Sequence, residues 1–140
     1  MIKRIDHIGI AVKSLEEALP LYTETFMFRL EGMETVESQG VKVAFVQAGN
    51  VCLELLEALS PNSPIAKFIE KKGEGVHHIA LGVTGIENRI QEIKQSGLRM
   101  IDEKARKGAH HADVAFVHPK STAGILFELC ERPAGGEESK

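Results

Sequence analysis

Four residues able to hold a metal recur as matched pairs along this chain of 140 residues. Ile5-Asp6-His7-Ile8 through Val12 returns as Val76-His77-His78-Ile79 through Val83, and Val43-Ala44-Phe45-Val46 returns letter for letter as Val114-Ala115-Phe116-Val117. From His7 to His78, and from Val43 to Val114, the offset is 71 positions. Leu53-Glu54-Leu55 is matched by Phe127-Glu128-Leu129 after a further slip of three that a longer turn absorbs. The duplication therefore pairs His7 with His78 and Glu54 with Glu128. Imidazole and carboxylate are ligand types for a divalent ion, and the pattern is that of a site divided between two halves of one domain.

An ionised carboxylate inside an apolar strand is costly unless something positive compensates it. The strand residues around Glu54 and Glu128 supply no Lys or Arg. A divalent cation meets the need: two neutral imidazoles and two carboxylates make a neutral site with Zn, Co, Ni, Fe or Mn, leaving positions for water or substrate. One strand histidine alone would more often be a hydrogen-bonded core residue, so the matched set of four carries the argument. His7 shares its strand face with Ile5, Gly9 and Ala11, and His78 shares its own with Val76, Ala80 and Gly82. The small residues beside each imidazole are expected to leave open volume there. His77 has the opposite parity and is expected to point away. His110 and His111 fall in a loop, where each could serve substrate or sit in solvent.

These residues must be positioned by the elements between them. Residues 4–12 alternate and are rich in Ile and Val, as a strand does. Ser14-Leu15-Glu16-Glu17 has the capping-box spacing and predicts a helix over 15–26, with a kink or late start at Pro20. Strands are expected near 29–37, 41–48 and 51–57, with Gln39-Gly40 and Gly49-Asn50 as turns. A connector over 59–73 opens with Leu59-Ser60-Pro61-Asn62-Ser63-Pro64 and carries a short helix that Gly73 stops. The programme then repeats: a strand at 75–83, a helix over 86–96 ended by Gly97, and strands near 98–103, 112–118 and 124–131. The expected class is α+β, with two pseudo-symmetric βαβββ modules (1–58 and 74–132) forming one domain around a metal cleft, and a flexible polar tail over 133–140.

At 140 residues one domain can bury a sizeable core, whereas each repeat of about 60 residues alone would be marginal. A net charge of -3 with no basic stripe argues against nucleic acid. No apolar run follows the early basic residues and no segment nears membrane-spanning length, so no membrane association and a cytoplasmic location are expected. Cys52 and Cys130 sit in apolar strand patterns and are expected to be reduced and buried.

Through these residues the chain resembles the vicinal oxygen chelate (glyoxalase-like) superfamily and, within it, the methylmalonyl-CoA epimerases, from Ile5 to about Cys130. The similarity rests on Asp6-His7-Ile8-Gly9-Ile10-Ala11-Val12, Leu53-Glu54-Leu55-Leu56-Glu57, Ser63-Pro64-Ile65-Ala66-Lys67-Phe68, Gly75-Val76-His77-His78-Ile79-Ala80, Gly108-Ala109-His110, and His118-Pro119-Lys120-Ser121 through Leu129. The ligand set is shared with glyoxalase I; the connector and the His-Pro-Lys-Ser stretch favour the epimerases. The resemblance implies metal ligands His7, Glu54, His78 and Glu128, a homodimer, and an acyl-CoA substrate epimerised at C2 through a metal-stabilised enolate. Some epimerases carry a non-ligand glutamate, proposed as a base, on the strand matching 41–48. This chain reads Val41-Lys42-Val43-Ala44-Phe45-Val46-Gln47 there, so Glu54 and Glu128 themselves become the candidate bases. Lys120, Ser121, Thr122 and His110 are candidate substrate contacts. Glyoxalase I is the nearest rival; a ring-cleaving iron dioxygenase would need only one carboxylate, and a metal-free binding protein would need none of the four.

Overall fold

Apolar residues at alternate positions, punctuated by glycine turns, give eight strands and three α-helices among the described residues. The computed structural model describes residues 2–134, and the expected flexible tail lies outside the described residues from 135 onward. The contacts divide the chain into two compact units, residues 7–77 and residues 78 onward together with the N-terminal segment through Asp6.

In the unit of residues 7–77, β1 (Ile2–Ala11) contributes its His7 half, followed by α1 (Leu15–Pro20), β2 (Arg29–Val36), β3 (Val41–Gln47), β4 (Cys52–Ala58) and α2 (Pro64–Lys72). The strand order is β2-β3-β4-β1, antiparallel except for the parallel β4/β1 pair. Val12, Leu15, Ala44, Val46 and Leu55 form the buried core between helix and sheet, with Ile10, Leu19, Tyr22 and Phe28 against it. The Ser14 hydroxyl accepts from Glu17 N at 3.2 Å, as the capping pattern predicts. Pro20 then decides how the helix continues. Lacking an N–H for the Glu16 carbonyl, it ends the regular α-turns, and Leu21–Thr25 follow as a widened π-turn closed by Phe26 N on Leu21 O at 3.0 Å. The expected single helix over 15–26 is thus two helical types in series.

The second unit contains β5 (Gly75–Val83) from His78 onward, α3 (Ile86–Gln95), β6 (Arg106–Lys107), β7 (Asp113–Val117) and β8 (Phe127–Glu131), in the order β5-β8-β7-β6. Here β5/β8 is the parallel pair. The core of Val83, Ile86, Ile90, Met100, Ala115, Val117 and Leu129 reuses the repeat: Val83, Ile86, Ala115 and Val117 stand 71 positions after Val12, Leu15, Ala44 and Val46. The slip of three is absorbed between β7 and β8, where Pro119–Ser121 form a 3-10 turn.

One expected strand does not form. Residues 98–103 are mostly irregular, with Met100 making a single bridge to Val117, and the strand beside β7 is the two-residue β6 at Arg106–Lys107. The cause is local: the Asp102 carboxylate accepts from Phe116 N at 2.8 Å, taking a ladder position that a backbone carbonyl would hold in a continuous strand. The last strand also begins later than expected, at Phe127, because Ala123 and Gly124 both adopt positive φ in a turn. No described helix is long and apolar enough to cross a membrane.

Candidate metal centre

Parallel pairing is what brings imidazole to carboxylate. In β1/β4 the register partner of Glu54 is Gly9, and His7 lies two residues earlier on the same face; in β5/β8 the partner of Glu128 is Ala80, with His78 two residues earlier. The same offset in both units yields the same contact. His7 Nδ1 lies 3.3 Å from Glu54 Oε2, and His78 Nε2 lies 3.5 Å from Glu128 Oε1. All four residues are only 4–6% exposed. Cross-strand from each glutamate stands the phenylalanine of the repeated Val-Ala-Phe-Val run, Phe45 opposite Glu54 and Phe116 opposite Glu128.

The donor set fits a divalent cation. Two ligands held about 2.1 Å from one ion at angles between octahedral and tetrahedral stand roughly 3.0–3.4 Å from each other, close to both observed separations. Buried carboxylates that touch an imidazole in apolar strands are also the groups for which a cation is the effective compensation.

The remaining candidates are placed as follows. His77 points away from His78 and packs edge-on against Phe68 of α2, ring centroids 4.9 Å apart, as its parity predicts. His110 and His111 are exposed and both adopt positive φ in the turn Ala109–His111. Lys120 is exposed, and its backbone N–H donates to His118 Nδ1 at 3.1 Å. The Ser121 hydroxyl accepts from Arg99 N at 2.9 Å and so braces its turn, and Thr122 Oγ1 donates to Ile125 O. Cys52 and Cys130 are buried and form no disulfide. The volume expected beside His78 is not open at Gly82: a Cβ there would meet the Arg4 side chain at 3.3 Å, so the glycine makes room for Arg4.

Three features escaped the sequence reading. Glu57 and Glu131 each follow a repeated glutamate by three positions, which turns them toward the helix face. Glu57 Oε1 accepts from Leu15 N at 2.7 Å, and the two oxygens of Glu131 accept from Gly85 N and Ile86 N at 2.9 and 3.0 Å. The recurrence of Glu57 at Glu131 was the available signal. The second feature is a buried ion pair in which Arg132 Nε and Nη2 donate to both oxygens of Asp6 at 3.1 and 2.6 Å. Its partners are 126 positions apart and no spacing marks them as a pair. The third is Arg106, whose guanidinium lies 5.7 Å from the Phe116 ring centroid.

The profile of the Glyoxalase/Bleomycin resistance protein/Dioxygenase superfamily matches residues 6–116. The ethylmalonyl-CoA/methylmalonyl-CoA epimerase of Cereibacter sphaeroides is 38% identical over 131 residues, covering 92% of this chain and 98% of its own. The mitochondrial methylmalonyl-CoA epimerase of Homo sapiens is 38% identical over 127 residues, covering 90% of this chain and 72% of its own. A solved methylmalonyl-CoA epimerase in complex with methylmalonyl-CoA and ammonium superposes with a TM-score of 0.90 at 35% identity, covering 96% of this chain and 97% of that one.

Proposed function

Since the chain belongs to the glyoxalase/bleomycin resistance protein/dioxygenase superfamily and, within it, to the methylmalonyl-CoA epimerase family, we propose that it interconverts the C2 stereoisomers of methylmalonyl-CoA at a site built from His7, Glu54, His78 and Glu128. The observation that carries this reading is the duplicated buried histidine–glutamate contact. The four side chains would hold one divalent ion. When bound, that ion supplies Lewis-acid stabilisation of negative charge developing on the substrate oxygens.

The chain's own residues account for the proton. The C2 hydrogen is flanked by a thioester and a carboxylate, so its removal leaves the electron pair delocalised as an enolate. One glutamate takes that proton as a carboxylate, and the other, in its acid form, returns a proton to the opposite face; the two then have exchanged protonation states. Glu54 and Glu128 are the pair assigned here. No carboxylate on β3 competes for the role, because Val41, Val43 and Phe45 occupy the face that β3 shares with Glu54. Lys120, Ser121 and His110 are proposed as contacts to the acyl-CoA, and the enzyme as a cytoplasmic homodimer.

Metal-reconstituted protein incubated with one stereoisomer of methylmalonyl-CoA in deuterated water should exchange C2 hydrogen and produce the other stereoisomer. Glu128→Gln should slow that exchange by roughly 100- to 10,000-fold, the usual contribution of a placed acid–base group. Unchanged exchange removes Glu128 from the mechanism. A wild-type protein that leaves C2 untouched but converts a glutathione hemithioacetal replaces this reading with glyoxalase I.

A further inference from the structure

We propose that Arg106 is the anion-recognition residue of this site, its two Nη nitrogens gripping an oxyanion of the acyl-CoA. The assignment rests on the epimerase reading and adds a residue to it. The shared chemistry is that of a carboxylate or phosphate, supplied by the free acyl carboxylate or by the CoA arm.

Arg106 reaches the candidate metal centre through contacts within one unit. Its register partner on β7 is Val114, so it projects from the sheet face that carries Val114, Phe116 and, across β8, Glu128. The guanidinium carbon sits 5.7 Å from the Phe116 ring centroid, and the same ring meets His78 edge-on at 5.5 Å. The Phe116 ring thus contacts both the fixed cation and the buried imidazole. Lys107, the other basic residue of β6, faces the opposite way and pairs with Asp113 at 2.8 Å.

The guanidinium is also held in one orientation. Arg106 Nε donates to Asp102 Oδ1 at 3.2 Å, while Asp102 Oδ2 accepts from Phe116 N at 2.8 Å, so one carboxylate fixes both the cation and the strand beneath it. Using Nε for Asp102 leaves the Nη1–Nη2 edge without a hydrogen bond among the described residues. That edge is the planar fork that binds carboxylate or phosphate in a bidentate manner. The Arg106 side chain is 43% exposed, against 16% for Asp102, so the fork is accessible and its brace is not. A surface ion pair and a cation–π contact are each worth little to stability, so a structural role would be weak.

The test compares wild type, Arg106→Lys and Arg106→Gln on methylmalonyl-CoA and on methylmalonyl-pantetheine, which has the same acyl group but no phosphate. Arg106→Gln should raise KM for the CoA ester about 10- to 100-fold while kcat holds, as expected for a lost charged hydrogen bond. Arg106→Lys, which keeps the charge without the fork, should fall between. A KM increase with both esters assigns the grip to the acyl carboxylate; an increase with the CoA ester alone assigns it to a phosphate. Thermal midpoints that stay put while KM moves separate recognition from a structural role. If wild type is active and Arg106→Gln leaves KM unchanged for both esters, the assignment is overturned and the epimerase reading stands. A wild type inert toward both esters overturns the epimerase reading, and this assignment with it.

Discussion

A carboxylate buried against an imidazole in an apolar strand is a local problem with a local signature. Each of the four side chains is shielded from water, so their charge state cannot be set by solvent alone. Their residue types and spacing were legible in the sequence, because strand alternation fixes which neighbours share a face. Arg106 was not legible: its value lies in the Phe116 ring beneath it and the Asp102 carboxylate beside it, and a strand of two residues has no periodicity to announce either. Tyr22 offers a separate residue-scale test. Burial, and secondarily the negative charge of Glu74, raise its pKa above the ordinary phenol value of 10.0. The protonated phenol therefore contributes stability that is present below pH 10 and lost as pH rises through the higher folded value. Tyr22 is the one tyrosine and the chain has no tryptophan, so an ultraviolet titration reads it directly. Its midpoint should exceed that of the denatured chain and drop in Glu74→Gln.

Most elements follow from pattern and punctuation: alternating apolar residues made strands, Ser14 and Ser63 capped helices, and Gly73 and Gly97 ended them. The exceptions have identifiable physics. Pro20 turned the end of one helix into a π-turn, and the Asp102 side chain displaced a ladder bond where a strand was expected. The duplicated caps are the element-scale device that sequence inspection passed over. α3 begins at Gly85, which has no side chain to cap it, and Glu131 supplies the acceptor from the end of β8. Glu131→Ala should cost about 0.5–2 kcal/mol in urea unfolding, within the range of a lost N-cap, and Glu57→Ala a similar amount through α1. Intact wild-type stability in Glu131→Ala would mean that water replaces the carboxylate there without loss.

At the scale of the whole molecule, duplication gives each of the two compact units its own histidine–glutamate pair and its own helix-backed core. If the four donors serve one ion, metal analysis of reconstituted protein should return one equivalent per chain; two equivalents would mean that each pair binds separately. Chelation should lower the thermal midpoint, because an ion bound only by the folded state stabilises it by about 2.7 kcal/mol at a hundredfold excess over its dissociation constant. A midpoint indifferent to chelator would count against a resident metal.

By itself the sequence determined the repeat, the strand faces and which four residues are candidate donors, because period-two alternation and an internal offset are properties of order along the chain. Only the tertiary structure decided the parallel register that sets each imidazole beside its carboxylate, the pairing of Asp6 with Arg132, and the placing of Arg106 over Phe116. Those contacts join residues whose separation along the chain carries no information about their distance in space, and hydrogen-bond register and side-chain packing alone fix them.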